Sequence, residues 1–158
     1  MKQFLKICSL LLIVSCRQEA SVLTTTEKAA IEDSIRVTLD NYYADIKKTG
    51  LTAEFKYLDH SPDFFWVPPG YSSAISYDSV ATVLNQNAPL FRSVDNAWDS
   101  LRIIPLTTEL ATYTGRLRST MVDASGKTSH IALVETGLLV KRKDGWKLLS
   151  GQTSVVDK

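Results

Sequence analysis

IALVETGLLVKRKDGWKLLSGQTSV, Ile131 to Val155, reads as two long strands joined by a tight turn. Ile131 to Arg142 is rich in Leu, Val, Ile and Thr and contains no Pro. Lys143-Asp144-Gly145 supplies the turn, with Gly suited to the left-handed conformation that a short bulged hairpin requires. Trp146 to Val155 is the return strand. Two closures compete. A two-residue Asp144-Gly145 loop pairs Lys143 with Trp146. A three-residue loop pairs Arg142 with Trp146, Val140 with Leu148 and Thr136 with Gln152. The second is preferred, because it sends Lys141 and Lys147 to water together, and a one-residue slip would invert every side chain. It places Trp146, Leu148, Ser150 and Gln152 with Val140, Leu138, Thr136 and Val134 on one face. That face is apolar near the turn and polar further along, as the inside of a pocket would be. Glu135, Leu139, Leu149 and Thr153 fall on the outer face, and Trp146 is expected to anchor the core.

Upstream, the alternating pattern continues. Trp98 to Leu106 is a strand that Pro105 marks as an edge or a bulge. Glu109 to Val122 is another, followed by a turn at Asp123-Ala124-Ser125-Gly126. Before these the period is helical. Thr24 and Glu27 have the spacing of a capping box, and Ile31, Ile35, Leu39, Tyr42 and Ile46 form an apolar stripe that Gly50 ends. Thr52 caps a short helix from Ala53 to Asp59, Phe64 to Val67 is a short strand, and a third helix runs from Asp78 to about Gln86. Helices first and an antiparallel meander after them make an α+β pattern. A strongly twisted sheet curled around one long helix leaves a cavity suited to a ligand.

The N-terminus is a separate matter. MKQFLKICSLLLIVSC carries Lys2 and Lys6 and then an apolar run too short to span a bilayer, which is the pattern of a secretory signal. Ile13-Val14-Ser15-Cys16 resembles the bacterial lipoprotein box, which implies cleavage before Cys16 and lipid on that residue. Residues 1–15 are thus read as a signal, 16–25 as a tether and 26–158 as a single domain. Without Lys2 and Lys6, 16 basic side chains face 17 acidic ones, a formal charge of −1. That balance argues against nucleic acid as a partner. Cys8 goes with the signal and Cys16 is the anchor, so no disulfide framework is expected.

The order of elements, with Ser61-Pro62-Asp63-Phe64-Phe65-Trp66-Val67 and the ending Asp144-Gly145-Trp146-Lys147-Leu148-Leu149-Ser150-Gly151-Gln152-Thr153-Ser154, resembles the nuclear-transport-factor-2-like (SnoaL-like) superfamily over residues 25–156. The resemblance implies a cone-shaped half-barrel with N-terminal helices packed in a curved antiparallel sheet. It also implies frequent homodimers, with the faces of Leu139 and Leu149 meeting across the last two strands. Superfamily members include isomerases, dehydratases and hydrolases beside plain binding domains, so fold alone does not assign activity.

Catalytic members use an Asp, often with His, Tyr or Arg, inside the cone. Here Asp63 matches the start of the first strand, and it reads equally as a turn residue after Pro62. His130 shares parity with Val134 and reads either as a group at the cavity mouth or as an exposed strand-start residue. Where relatives often carry His on the last strand, this chain has Ser150 and Gln152, which do not titrate near neutrality. No spacing of His60, Asp59 and Asp63 places three metal ligands on one face, and no cofactor is called for. The expectation is therefore a lipid-anchored, cell-envelope domain that binds a small apolar molecule or a protein partner without catalysis. Trp66 and Tyr113 would be its walls, and Thr136, Ser150 and Gln152 its orienting groups. The alternative is an isomerase, dehydratase or hydrolase working through a cavity acid or base.

Overall fold

A computed structural model describes residues 22–156, so the signal, Cys16 and most of the tether lie outside the described residues. Helix α1 is Thr25–Thr49. Thr24 Oγ1 accepts from the Glu27 N–H at 3.2 Å while Glu27 Oε2 accepts from the Thr24 N–H at 2.8 Å, closing the predicted capping box. Gly50, at φ 91°, ends the helix. Ile35, Leu39, Tyr42, Tyr43 and Ile46 are buried, and complete burial of each aliphatic side chain is worth about 1.5–3 kcal/mol.

The predicted short helix is a 3-10 helix, Leu51–Lys56. Strand β1 is Phe65–Val67, and helix α2 is Tyr77–Asn87 with Ser76 as its cap. A 3-10 turn, Ala88–Leu90, contains Pro89 and ends α2. Strands β2 (Phe91–Pro105), β3 (Leu110–Asp123), β4 (Thr128–Arg142) and β5 (Gly145–Val155) follow as a meander. The sheet order is β1-β5-β4-β3-β2, antiparallel except that β1 runs parallel to β5. The result is an open, curved, mixed sheet with the helices on its concave side, the α+β half-barrel expected. Pro105 closes β2, an edge strand, where a missing N–H costs least.

Two details differ from the sequence reading. Strand β2 starts at Phe91 rather than Trp98, with register irregularities between Phe91 and Ser93 and between Trp98 and Ser100. Polar Ser93, Asp95 and Asn96 mask the alternation there. The β4–β5 hairpin adopts neither weighed closure: Arg142 pairs with Gly145, Lys141 with Trp146 and Leu139 with Leu148. Gly145 takes φ 120°. Leu149 is then an extra residue, a bulge that brings Leu138 opposite Ser150 and Thr136 opposite Gln152. The predicted Thr136–Gln152 pair exists, on the opposite face from the one assigned.

Candidate functional site

Helix α1, the 3-10 helix and α2 roof the concave face of the sheet and leave a cavity of about 240 Å³. That exceeds the ~150 Å³ void that accepts benzene and falls short of the ~300 Å³ at which pockets for drug-sized ligands begin. Its wall is mostly apolar: Leu58, Phe64 and Trp66 on one side, Val80, Val83 and Leu84 from α2, and Leu117, Met121, Ile131, Leu133 and Leu148 from the sheet. Few polar side chains reach it. They are Tyr42 and Tyr43 from α1, Glu54 from the 3-10 helix, Asn87 from α2, and Asn96, Ser119, Glu135 and Thr153 from four successive strands.

Glu135 is 5 % exposed and is held by hydroxyls alone. Tyr113 donates to Oε1 at 2.6 Å, Tyr43 to the same oxygen at 3.3 Å and Thr153 to Oε2 at 3.1 Å. Burial raises its pKa above the usual carboxylate range, and the three hydroxyls pull it back by favouring the ionised form. Burial also raises the phenols of Tyr43 and Tyr113, with the nearby Glu135 charge adding to it. Glu54 accepts from Tyr42 Oη at 3.0 Å. The residue is half-buried and lines the cavity. Burial drives its pKa from 4.5 up to about 7, the Tyr42 hydroxyl opposing and the Glu135 charge reinforcing the rise. Two carboxyls raised by burial in an apolar cleft are the kind of groups from which acid–base chemistry or cation recognition is built.

The local sequence explains the geometry. Gly115, Gly137 and Gly151 all face the cavity side of the sheet, and aromatic rings lie flat on them. A Cβ on Gly115 would meet the Trp98 ring at 2.6 Å, one on Gly137 the Tyr113 ring at 2.7 Å, and one on Gly151 the Trp66 ring at 2.6 Å. These glycines let Tyr113 lie low enough to reach Glu135. They also set Trp66 so that its Nε1 donates to Thr153 Oγ1 at 3.2 Å.

The predicted site residues divide. Trp66 lines the cavity. Tyr113 sits behind it, 1 % exposed, as a donor to Glu135. Thr136, Ser150 and Gln152 are corrected: they stand on the convex face, where Thr136 shares a 2.9 Å hydroxyl contact with Thr114 and Gln152 is exposed. The hairpin closure puts odd-numbered residues of β4 inside, and the Leu149 bulge switches parity within β5. The same correction brings Glu135 and Thr153 from the expected outer face into the site. It also buries Leu139 completely, removing it from any dimer surface, whereas Leu149 stays partly exposed at the bulge. His130 lies on the convex face too, 3.0 Å from Thr120 Oγ1. Asp63 is an exposed turn residue outside the cavity. Glu54 had no signal in the sequence. Glu135 had one: Tyr113, Leu117 and Met121 against Thr112, Arg116 and Arg118 mark the inner face of β3, and Gly115 on that face pairs with Glu135.

Residues 35–158 match the family model described as the SnoaL-like domain. No curated protein matches the sequence. Among solved structures, a nuclear transport factor 2 (NTF2-like) superfamily protein from Salmonella enterica serovar Typhimurium is 20% identical, with a TM-score of 0.63 over 86% of this chain and 95% of that one. A putative scytalone dehydratase from Novosphingobium aromaticivorans gives 0.73 at 10% identity over 85% and 89%. The hexachlorocyclohexane dehydrochlorinase LinA-type3 from Novosphingobium barchaimii gives 0.66 at 12% identity over 85% and 92%. At these identities the likeness is one of fold.

Proposed function

The chain belongs to the SnoaL-like domain family, and from that premise we propose that it binds a small, largely apolar molecule in its cavity, as a lipoprotein held at the cell envelope through Cys16. The observation that carries the reading is the mostly apolar cavity with Glu135 fixed in its wall by Tyr43, Tyr113 and Thr153. A buried carboxylate with every donor neutral is costly unless something else is recognised there. The test is calorimetric titration with 2-phenylethanol, a neutral one-ring probe, against the parent chain and Val83→Trp, which fills the cavity from α2. Binding to the parent and its loss in Val83→Trp are expected; equal binding to both rejects the cavity as the site.

A second reading has one observation in its favour. Glu54, poised at about 7 in the same cavity, suits a general base near neutral pH. Proteins named as a dehydrochlorinase and a putative dehydratase share the fold. In that reading ionised Glu54 takes a proton from carbon, the electron pair of the broken C–H bond forms a double bond as a leaving group departs from the neighbouring carbon, and Glu135 with its hydroxyls orients the substrate. A rate that rises with pH through about 7, and loses that limb in Glu54→Gln, would favour catalysis over binding.

The resemblance also supports a homodimer. With Leu139 buried, its surface would be the convex face, where Phe65, Ile104 and Val134 are exposed.

A further inference from the structure

We infer that the cavity selects a small organic cation, an amine with an apolar body of about one ring, and receives its ammonium group at the carboxyls of Glu54 and Glu135. The inference rests on the cavity-binding reading and adds the chemical class of the ligand.

Charge is the first ground. Two carboxyls line the cavity, and among the described residues no Lys, Arg or His does. The cations on neighbouring stretches of chain are engaged outside. Lys56, two residues from Glu54, is 2.8 Å from Asp45, and Lys47, one turn beyond Tyr43, is 2.7 Å from Asp95. Arg142 grips Asp59 with two hydrogen bonds of 2.6 and 2.8 Å. Neither Glu54 nor Glu135 has an ion-pair partner among the described residues.

Hydrogen bonding is the second, independent ground. The hydroxyls that meet the two carboxyls are committed, Tyr42 to Glu54 and Tyr43, Tyr113 and Thr153 to Glu135, which leaves Ser119, Asn87 and Asn96 as the polar side chains of the wall with donors still to place. The indole N–H of Trp66 is committed to Thr153. The acceptors are not filled. A carboxylate offers about four lone-pair positions; Glu135 Oε2 has one partner and Glu54 has one. Asn96 Oδ1, on β2 and so two strands from Glu135, is buried with no partner at all. At the carboxyls a guest that brings donors is therefore favoured, and an ammonium group brings three with a compensating charge. An anionic guest would bring neither.

The walls suit the rest of such a molecule. Tyr42 and Tyr43, with ring centroids 4.9 Å apart, and Trp66 present aromatic faces that attract a cation within about 6 Å. The groups that titrate around the site are Tyr42 and Tyr43 from α1, Glu54 from the 3-10 helix, Tyr113 from β3 and Glu135 from β4. Binding a cation favours ionised Glu54, so an amine should displace a proton from it near pH 7.

The experiment compares 2-phenylethylamine, 2-phenylethanol and phenylacetate by calorimetry at pH 7, with the full chain carrying Cys16→Ser for solubility. Two buffers of different ionisation heat count the protons released. The amine should bind at least tenfold more tightly than the alcohol and release a fraction of a proton, while phenylacetate gives no heat. Glu54→Gln, which keeps the side-chain shape, should weaken the amine about tenfold, reduce the proton release and weaken the alcohol far less. Equal affinity of alcohol and amine, or equal loss of both in Glu54→Gln, overturns cation selection while the cavity reading stands. No binding of any probe, or binding that survives Val83→Trp, overturns both.

Discussion

Glu54 and Glu135 are held in the same wall by different means, and stability should report the difference. Glu54 has its pKa raised from 4.5 to about 7, mainly by burial. A carboxyl raised in the folded state stabilises fully below its unfolded value, and that contribution is lost as pH rises through the folded one. Unfolding free energy should therefore fall as pH rises from about 4.5 through 7 relative to Glu54→Gln, by about 3 kcal/mol in all. Parallel curves of melting temperature against pH for the two proteins would contradict the placement of this carboxyl. Glu135 shifts in the same direction, so part of the slope survives in Glu54→Gln. Its strongest partner is the Tyr113 hydroxyl at 2.6 Å. Tyr113→Phe keeps the ring over Gly137 and removes only that donor. It should cost about 1–3 kcal/mol, the usual penalty for leaving a buried acceptor short of a partner. Chemical denaturation at pH 7 measures it; an unchanged midpoint would mean that the hydroxyl does not support the carboxylate.

One bulge decides which face of β5 meets the cavity. From Trp146 to Leu148 the even residues point inward, and after Leu149 the odd ones, Gly151 and Thr153, do. Much of the architecture was legible before the structure. The Thr24–Glu27 box, the stripe on α1, the Gly50 stop, the edge Pro105 and the buried Trp146 all follow from local rules. Local rules act through neighbouring residues, which a sequence displays. The faces of β4 and β5 were not legible, because Leu, Val and Thr occupy both parities and nothing local announces a bulge at Leu149. Hence Gln152, Ser150 and Thr136 were expected inside while Glu135 and Thr153 were expected outside. The glycines carry the information that periodicity lacked, since paired Gly137 and Gly151 leave room for rings on one face only. Gly151→Ala tests this. Its Cβ would stand 2.4 Å from the Thr136 carbonyl oxygen and 2.6 Å from the Trp66 ring. A ring can turn aside, but the carbonyl belongs to the β4–β5 ladder and is fixed. Overpacking of this kind costs about 1–3 kcal/mol, and the Trp66–Thr153 bond should go with it. Unchanged thermal stability together with unchanged Trp fluorescence would refute the packing.

The molecule as a whole presents two surfaces to its surroundings, the cavity mouth and the convex sheet, and one proposed attachment. Among the described residues no helix is long and apolar enough to cross a membrane. Helix α1 begins at Thr25, so a chain cut before Cys16 would leave a tether of nine residues, 16–24, between lipid and fold. One acyl chain holds a protein weakly and reversibly, whereas the several chains of a bacterial lipoprotein hold it firmly, and a dimer doubles the anchors. Cys16→Ser should therefore move the protein from the membrane fraction to the soluble one. A variant that still sediments with membranes would show that the attachment lies elsewhere. The released protein then makes the second half of the question measurable. Light scattering should give it twice the mass of one chain, and Phe65→Lys combined with Val134→Lys should halve that mass by placing charges on both β1 and β4 of the convex face. Neither side chain lines the cavity, so 2-phenylethanol should bind the resulting monomer as it binds the dimer. A released protein that is monomeric at high concentration would reject the convex-face dimer and leave the cavity assignment untouched. Loss of probe binding in the monomer would mean instead that the second copy completes the site.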